Sequence, residues 1–367
     1  MAWRLWPVRK SSLHSRLRTQ VAVGILACVV SAGVLEVAAA ESKVQPAKHW
    51  LVRPQQTEPK IREWAARYPQ LVSLETQKTF GGRTAYAVTV TNRKREDAGK
   101  RKLLVTQPHA HEPATTAGMM DFLAQLLDGA DLSGRPSSLD RNRILDLTVL
   151  TFIPDGNPDG RAKAPADWWD GAGFSNEAFL DLVFGKEKDG QRSKRVGRWS
   201  TQQRQPAVIG FAYEQINGHE YVEPNRDLDS TYFKLIRRMR SRYSYDLHLD
   251  LHQTEFEKSP YNAMILLPFI EKELPQPIQD RNVAWGKAII AAWQRAGGHP
   301  ILDPKPLGYG EDQIRYFRKC WSDLYRSTPC LGVEIQNNNP RTPPLVQMRL
   351  IEASIRASVE FLLAEEK

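Results

Sequence analysis

Cysteine is scarce in this chain: three residues in 367, at positions 28, 320 and 330. That is too few for a disulfide framework to organise a fold of this length. Internal repeats, low-complexity tracts and a recognisable interdomain linker are missing too, which favours one domain. The longest apolar stretch, between Val21 and Leu35, is short for a membrane-spanning helix. The formal net charge is +9, but no nucleic-acid-binding signature accompanies it. Its densest basic runs, Arg93-Lys94-Arg95 and Lys100-Arg101-Lys102, flank the acidic Glu96-Asp97 and read as a solvated loop.

What is present starts with a leader. Arg4, Arg9, Lys10, Arg16 and Arg18 precede the apolar stretch, and Ala38-Ala39-Ala40 follows it. That order predicts a secretory signal over residues 1–40 and an exported, periplasmic or secreted, mature chain. An uncleaved membrane tether is the alternative; lipidation at Cys28 is disfavoured by Leu26 and the apolar residues after Cys28. Without the leader the charge falls from +9 to +5, since residues 1–40 hold five basic residues and one acidic one. Cys320 and Cys330 would then either close a small loop or stay as two buried thiols.

The remainder, 41% hydrophobic and 25% charged, can bury a sizeable core. Ile61, Trp64, Ala65 and Tyr68 fall at helical spacing. Residues 71–74 and 86–90 read as strands of a hairpin around Gly81-Gly82. A compact strand at 103–106 delivers His109, and Pro113, suited to a first helical position, starts a helix to about Leu127. Residues 147–153 form a buried strand ending in the turn-rich Asn157-Pro158-Asp159-Gly160. Residues 161–220 are irregular. A helix at 230–242, a strand at 245–252, a helix at 279–296, a strand at 331–335 and a helix at 344–363 complete the pattern. Alternating strands and helices predict an α/β domain over 48–367, with a mixed, twisted central sheet and helices on both faces.

Two stretches carry the chemistry. His109 and Glu112 lie three apart across one turn, and His252 ends a distant strand. Two histidines and a glutamate make a zinc set with one position left open. His111 competes with this pair only if the segment is extended. His248 sits about 13 Å from His252 at ~3.3 Å per strand residue, too far to share one metal, and reads as structural. Glu334, at the end of an apolar strand, is the candidate base, since a buried carboxylate needs a partner or a task.

In this order, with the Gly82-Arg83 hairpin, Asn157-Pro158-Asp159-Gly160 and Asn225-Arg226 between, the chain resembles the zinc metallocarboxypeptidases of the carboxypeptidase A type. The resemblance implies zinc, one per chain, held by His109, Glu112 and His252, with Glu334 as general base. It implies that Asn225 and Arg226 grip the terminal carboxylate of a peptide substrate, a task suited to a planar guanidinium. Tyr316 is the candidate capping tyrosine, with Tyr309 competing. The transition-state arginine is not placed uniquely: Arg161, Arg198 and Arg204 are candidates. Gln336 stands where the family usually has arginine. The expected activity is hydrolytic release of a C-terminal residue. A zinc amidohydrolase acting on cell-wall peptides or N-acyl amino acids, and a metal-free binding relative, are the alternatives.

Overall fold

The computed structural model describes residues 49–255 and 257–364, so the secretory signal expected over residues 1–40 lies outside the described residues. Among those described, no helix is long and apolar enough to cross a membrane. The first helix, α1 (Pro54–Arg67), enters through Pro54 at its first turn and buries Ile61 and Trp64. Strands β1 (Val72–Lys78) and β2 (Thr84–Val90) then pair antiparallel as the expected hairpin, Val72 opposite Val90. After β3 (Arg101–Thr106) come α2 (Pro113–Leu127), α3 (Arg141–Leu147) and β4 (Thr148–Ile153). Next are α4 (Pro158–Lys163) and α5 (Asn176–Phe184). Short antiparallel pairings, such as 198–200 with 220–222, fold the segment read as irregular. Then follow α6 (Thr231–Arg242), β5 (Leu247–Thr254), β6 (Ala263–Leu267) and α7 (Gln276–Arg295). The chain continues through β7 (Lys305–Pro306), α8 (Glu311–Ser327), β8 (Cys330–Gln336) and α9 (Pro344–Ala364).

The eight strands form one sheet in the order β1-β2-β4-β3-β5-β8-β6-β7. Its centre, β4-β3-β5-β8, is parallel, while β2 and β6 join it antiparallel. Because strand side chains alternate, each central strand serves two cores. Leu103, Val105, Leu247, Leu249 and Leu251 pack with α1, α2, α7 and α9 on one face. Leu104 and Ile153 pack with α6 and α8 on the other, against Phe233, Phe317 and Trp321. The mixed sheet with helices on both faces is therefore as the sequence predicts.

Two differences from the expected elements bear on the site. Strand β5 runs two residues past His252, because Gln253 and Thr254 pair with Ile335 and Gln336 of β8. Helices α3, α4, α5 and α8 and strands β6 and β7 are additional to the expected elements. Cys320 and Cys330 are both buried free thiols.

Candidate metal centre

The loop after β3 closes as a turn, with the Glu112 N–H donating to the His109 carbonyl at 3.2 Å. This turn brings the two side chains together: His109 Nδ1 lies 2.8 Å from Glu112 Oε1. His111, between them, stacks on the His109 ring with its Nε2 3.5 Å from Glu112 Oε1, but it is not one of the three residues whose donor atoms converge. Its ring packs among Phe179, Phe184 and Phe211, burial lowers its pKa to about 3, and its Nδ1 has no partner among the described residues. The neighbouring strand β5 supplies His252, whose Nδ1 stands 3.1 Å from His109 Nδ1 and 3.2 Å from Glu112 Oε2. One donor atom from each residue lies within 4.8 Å of the others, and all three residues are buried.

The outward nitrogens complete the case for a metal. His109 Nε2 sits 2.7 Å from Glu223 Oε1, and His252 Nε2 sits 2.7 Å from Asp250 Oδ2. A carboxylate at Nε2 holds the ring proton there and leaves the Nδ1 lone pair for a metal. Both Nδ1 atoms face the cluster with Glu112, a nitrogen–nitrogen–oxygen set that fits zinc. Burial lowers the pKa of His252, but Asp250 and Glu112 outweigh it and raise it well above the ordinary imidazole value. Concentrated negative charge at this spot favours any cation, a proton or a metal.

Glu334 is opposite His252 in the β5–β8 register. It is partly exposed, its Oε2 has no partner among the described residues, and burial pushes its pKa up to about 8. His252 pulls that value down and Glu112 pushes it further up. His248, on the same strand, contacts Thr106 Oγ1 at 2.9 Å and lies over Trp321, a structural position.

Glu223 organises the other wall. Its Oε1 lies 2.6 Å from Nη2 of Arg195 and 2.6 Å from Nη1 of Arg226, besides its contact with His109. Burial alone would raise its pKa; Arg226, Arg195 and His109 hold it well below the carboxylate range. Arg226 also donates to Asn225 Oδ1 at 2.8 Å and Gln313 Oε1 at 3.1 Å, and lies over the rings of Phe317 and Tyr309. Tyr309 is thus the tyrosine beside Arg226. Tyr316 instead lies against Gly197 and bonds with Arg315.

Of the three candidate arginines, none reaches the cluster. Arg161 is buried against the Ala110 and Ala166 carbonyls, Arg198 pairs with Asp227 and Asp229, and Arg204 pairs with Glu187. The arginine at the centre is Arg195, whose Nη2 is also 3.4 Å from His109 Nε2 and whose guanidinium lies over Phe184. Sequence reasoning missed Arg195, which no local pattern flags. Glu223 carried a usable signal, two residues before Asn225-Arg226, and Asp250 shares the His252 face of its strand.

Asn157-Pro158-Asp159-Gly160 is a joint. Asn157 caps α4 through the Gly160 N–H, while Asp159 accepts from the Gly81 N–H at 2.9 Å and Arg83 at 3.0 Å. The β1–β2 hairpin is thereby tied to the metal-site loops.

Paired imidazoles and a carboxylate beside an unpartnered glutamate, at one end of parallel strands, define a metallohydrolase. The zinc carboxypeptidase family pattern matches residues 57–253, and the chain belongs to that family. It is a zinc metallocarboxypeptidase-like hydrolase whose metal is zinc. Solved structures share the fold. Carboxypeptidase A from Helicoverpa armigera is 15% identical with a TM-score of 0.54, over 92% of this chain and 80% of that one. A metallo-carboxypeptidase from Burkholderia cenocepacia is 16% identical with a TM-score of 0.52, over 84% and 68%. Bovine thrombin-activatable fibrinolysis inhibitor, solved with a tick carboxypeptidase inhibitor, is 11% identical with a TM-score of 0.51, over 86% and 99%. No curated protein sequence matches the chain.

Proposed function

We propose that the protein removes the C-terminal residue of peptides. The observation that carries this reading is Glu223, which joins His109 of the metal set to the buried guanidinium of Arg226. A cation held one carboxylate away from the metal is placed to recognise the free carboxylate next to the scissile bond. Asn225 and Tyr309 flank it and favour one orientation of that carboxylate.

His109 and Glu112 from the β3–α2 turn and His252 from β5 would hold the zinc. When bound, zinc supplies Lewis acidity toward the scissile carbonyl and acidifies a neighbouring water. Glu334 takes the proton from the attacking water and passes it to the leaving amine. Arg195, fixed by Glu223, donates to the carbonyl oxygen as negative charge develops there. The test compares a peptide with its C-terminally amidated twin, alongside murein peptides and N-acyl amino acids. Cleavage of the free acid alone, one residue at a time, is expected. Equal turnover of the amidated twin would overturn the assignment to Arg226. The basic, apolar and alanine order of residues 1–40 supports export, checked by the N-terminal residue of the purified mature protein.

A further inference from the structure

Helix α2 starts at a residue that does not cap it. Glu112 occupies the N-cap position but makes no side-chain capping bond, because its carboxylate is turned to His109 and His252. Backbone N–H groups in a helix's first turn need partners, all the more when buried, and Ala114 is fully buried. The Ala114 N–H donates instead to Gln253 Oε1, 2.9 Å away on β5. Gln253 directly follows the ligand His252. Its Nε2 donates to Gln347 Oε1 at 2.8 Å, and Gln347 Nε2 donates to the Trp169 and Thr342 carbonyls, each at 2.8 Å. Both glutamines are buried. A backbone N–H at one end and backbone carbonyls at the other fix the sense of both amides. Turning either would leave a buried polar group unpaired.

We propose that Gln253 is a positioning residue of the metal centre. It caps α2 from another strand, frees the Glu112 carboxylate for zinc, and holds the α2 N-terminus against β5 so that Glu112 and His252 keep their spacing. The inference rests on the zinc reading of the site. Without Gln253, the Glu112 carboxylate is the acceptor nearest in sequence for its own helix's amides, and capping competes with metal binding.

Gln253→Met keeps the side-chain length and removes both polar ends, whereas Gln253→Glu keeps the acceptor for Ala114. Zinc affinity by chelator competition and the visible spectrum of the cobalt-substituted protein are measured beside the melting temperature of the metal-free protein. Zinc binding about 10- to 100-fold weaker in the Met variant, with a shifted cobalt spectrum, is expected. The Glu variant should recover most of that loss. Wild-type affinity and spectrum in the Met variant, whatever its melting temperature, would overturn the proposal. If that variant does not fold, Gln347→Met replaces it: weaker zinc binding supports the relay, and unchanged affinity and spectrum overturn it. Failure of the wild-type protein to bind zinc is a separate result, which removes the metal reading itself.

Discussion

A carboxylic acid acts as a base only after losing its proton, so Glu334 sets a sign for the pH dependence. Burial first, and then Glu112, raise its pKa to about 8 against the pull of His252. Activity should therefore fall as pH drops through this group's pKa. Bound zinc, a divalent cation beside it, lowers that value, which puts the acid limb of kcat/KM in the holoenzyme below pH ~8. Gln at position 334 should abolish turnover with zinc content unchanged. An E334Q variant with normal turnover, or a profile without an acid limb, would remove Glu334 as the base. Arg195 makes the complementary prediction. R195A should reduce kcat by about 10²–10³, the usual cost of a lost oxyanion donor, with a smaller change in KM. A change confined to KM would move Arg195 from the reacting carbonyl to substrate binding. Arginine was hard to place from the sequence because the chain is rich in it. Arg161 is taken up by backbone carbonyls and Arg198 and Arg204 by ordinary ion pairs, and only the folded chain separates them from Arg195.

Among the elements, legibility follows how local the determining signal is. The α2 start at Pro113 and the Leu247-Leu249-Leu251 alternation are local, and both were readable. Helix α8 is as periodic, burying Ile314, Phe317, Trp321 and Tyr325, but Arg315, Arg318 and Lys319 are interleaved with these and mask the stripe. The shift of β5 to end at Thr254 is non-local: it depends on pairing with β8, which sequence spacing cannot encode. Similarly, the Asn157–Gly160 turn was readable as a turn, yet its tie to Gly81 and Arg83 needs the folded sheet. That joint is tightly packed. A Cβ on Gly160 would meet the Phe211 carbonyl, Asn157 Nδ2 at 2.6 Å and Ala110 Cβ at 2.8 Å. Gly160→Ala should destabilise the protein by about 1–3 kcal/mol and, through Ala110, disturb the His109 turn. Thermal unfolding with zinc titration checks this; wild-type values in both would show that the loop yields freely.

At the scale of the whole molecule, zinc joins two chain segments, the β3–α2 turn and β5, that otherwise meet through the parallel sheet and the Gln253 contact. A ligand that binds only the folded state adds stability, about 2.7 kcal/mol at a free concentration 100 times its dissociation constant. The size of that gain should depend on pH, with a definite sign. In the metal-free protein, burial lowers the pKa of His252, but Asp250 and Glu112 raise it well above its ordinary value. A raised folded-state pKa means that this charged imidazole contributes stability fully below the unfolded value near ~6.5, and loses it as pH climbs through the folded value. Zinc takes the place of that proton, because the ligands bind it only when deprotonated. Protons therefore compete with zinc least at high pH, where the metal-free protein has also lost the stabilising imidazolium. The difference in melting temperature between zinc-loaded and chelator-treated protein should widen from pH 6 to pH 9. A gap that stays constant or narrows would mean that the histidine protons and the metal do not share one site.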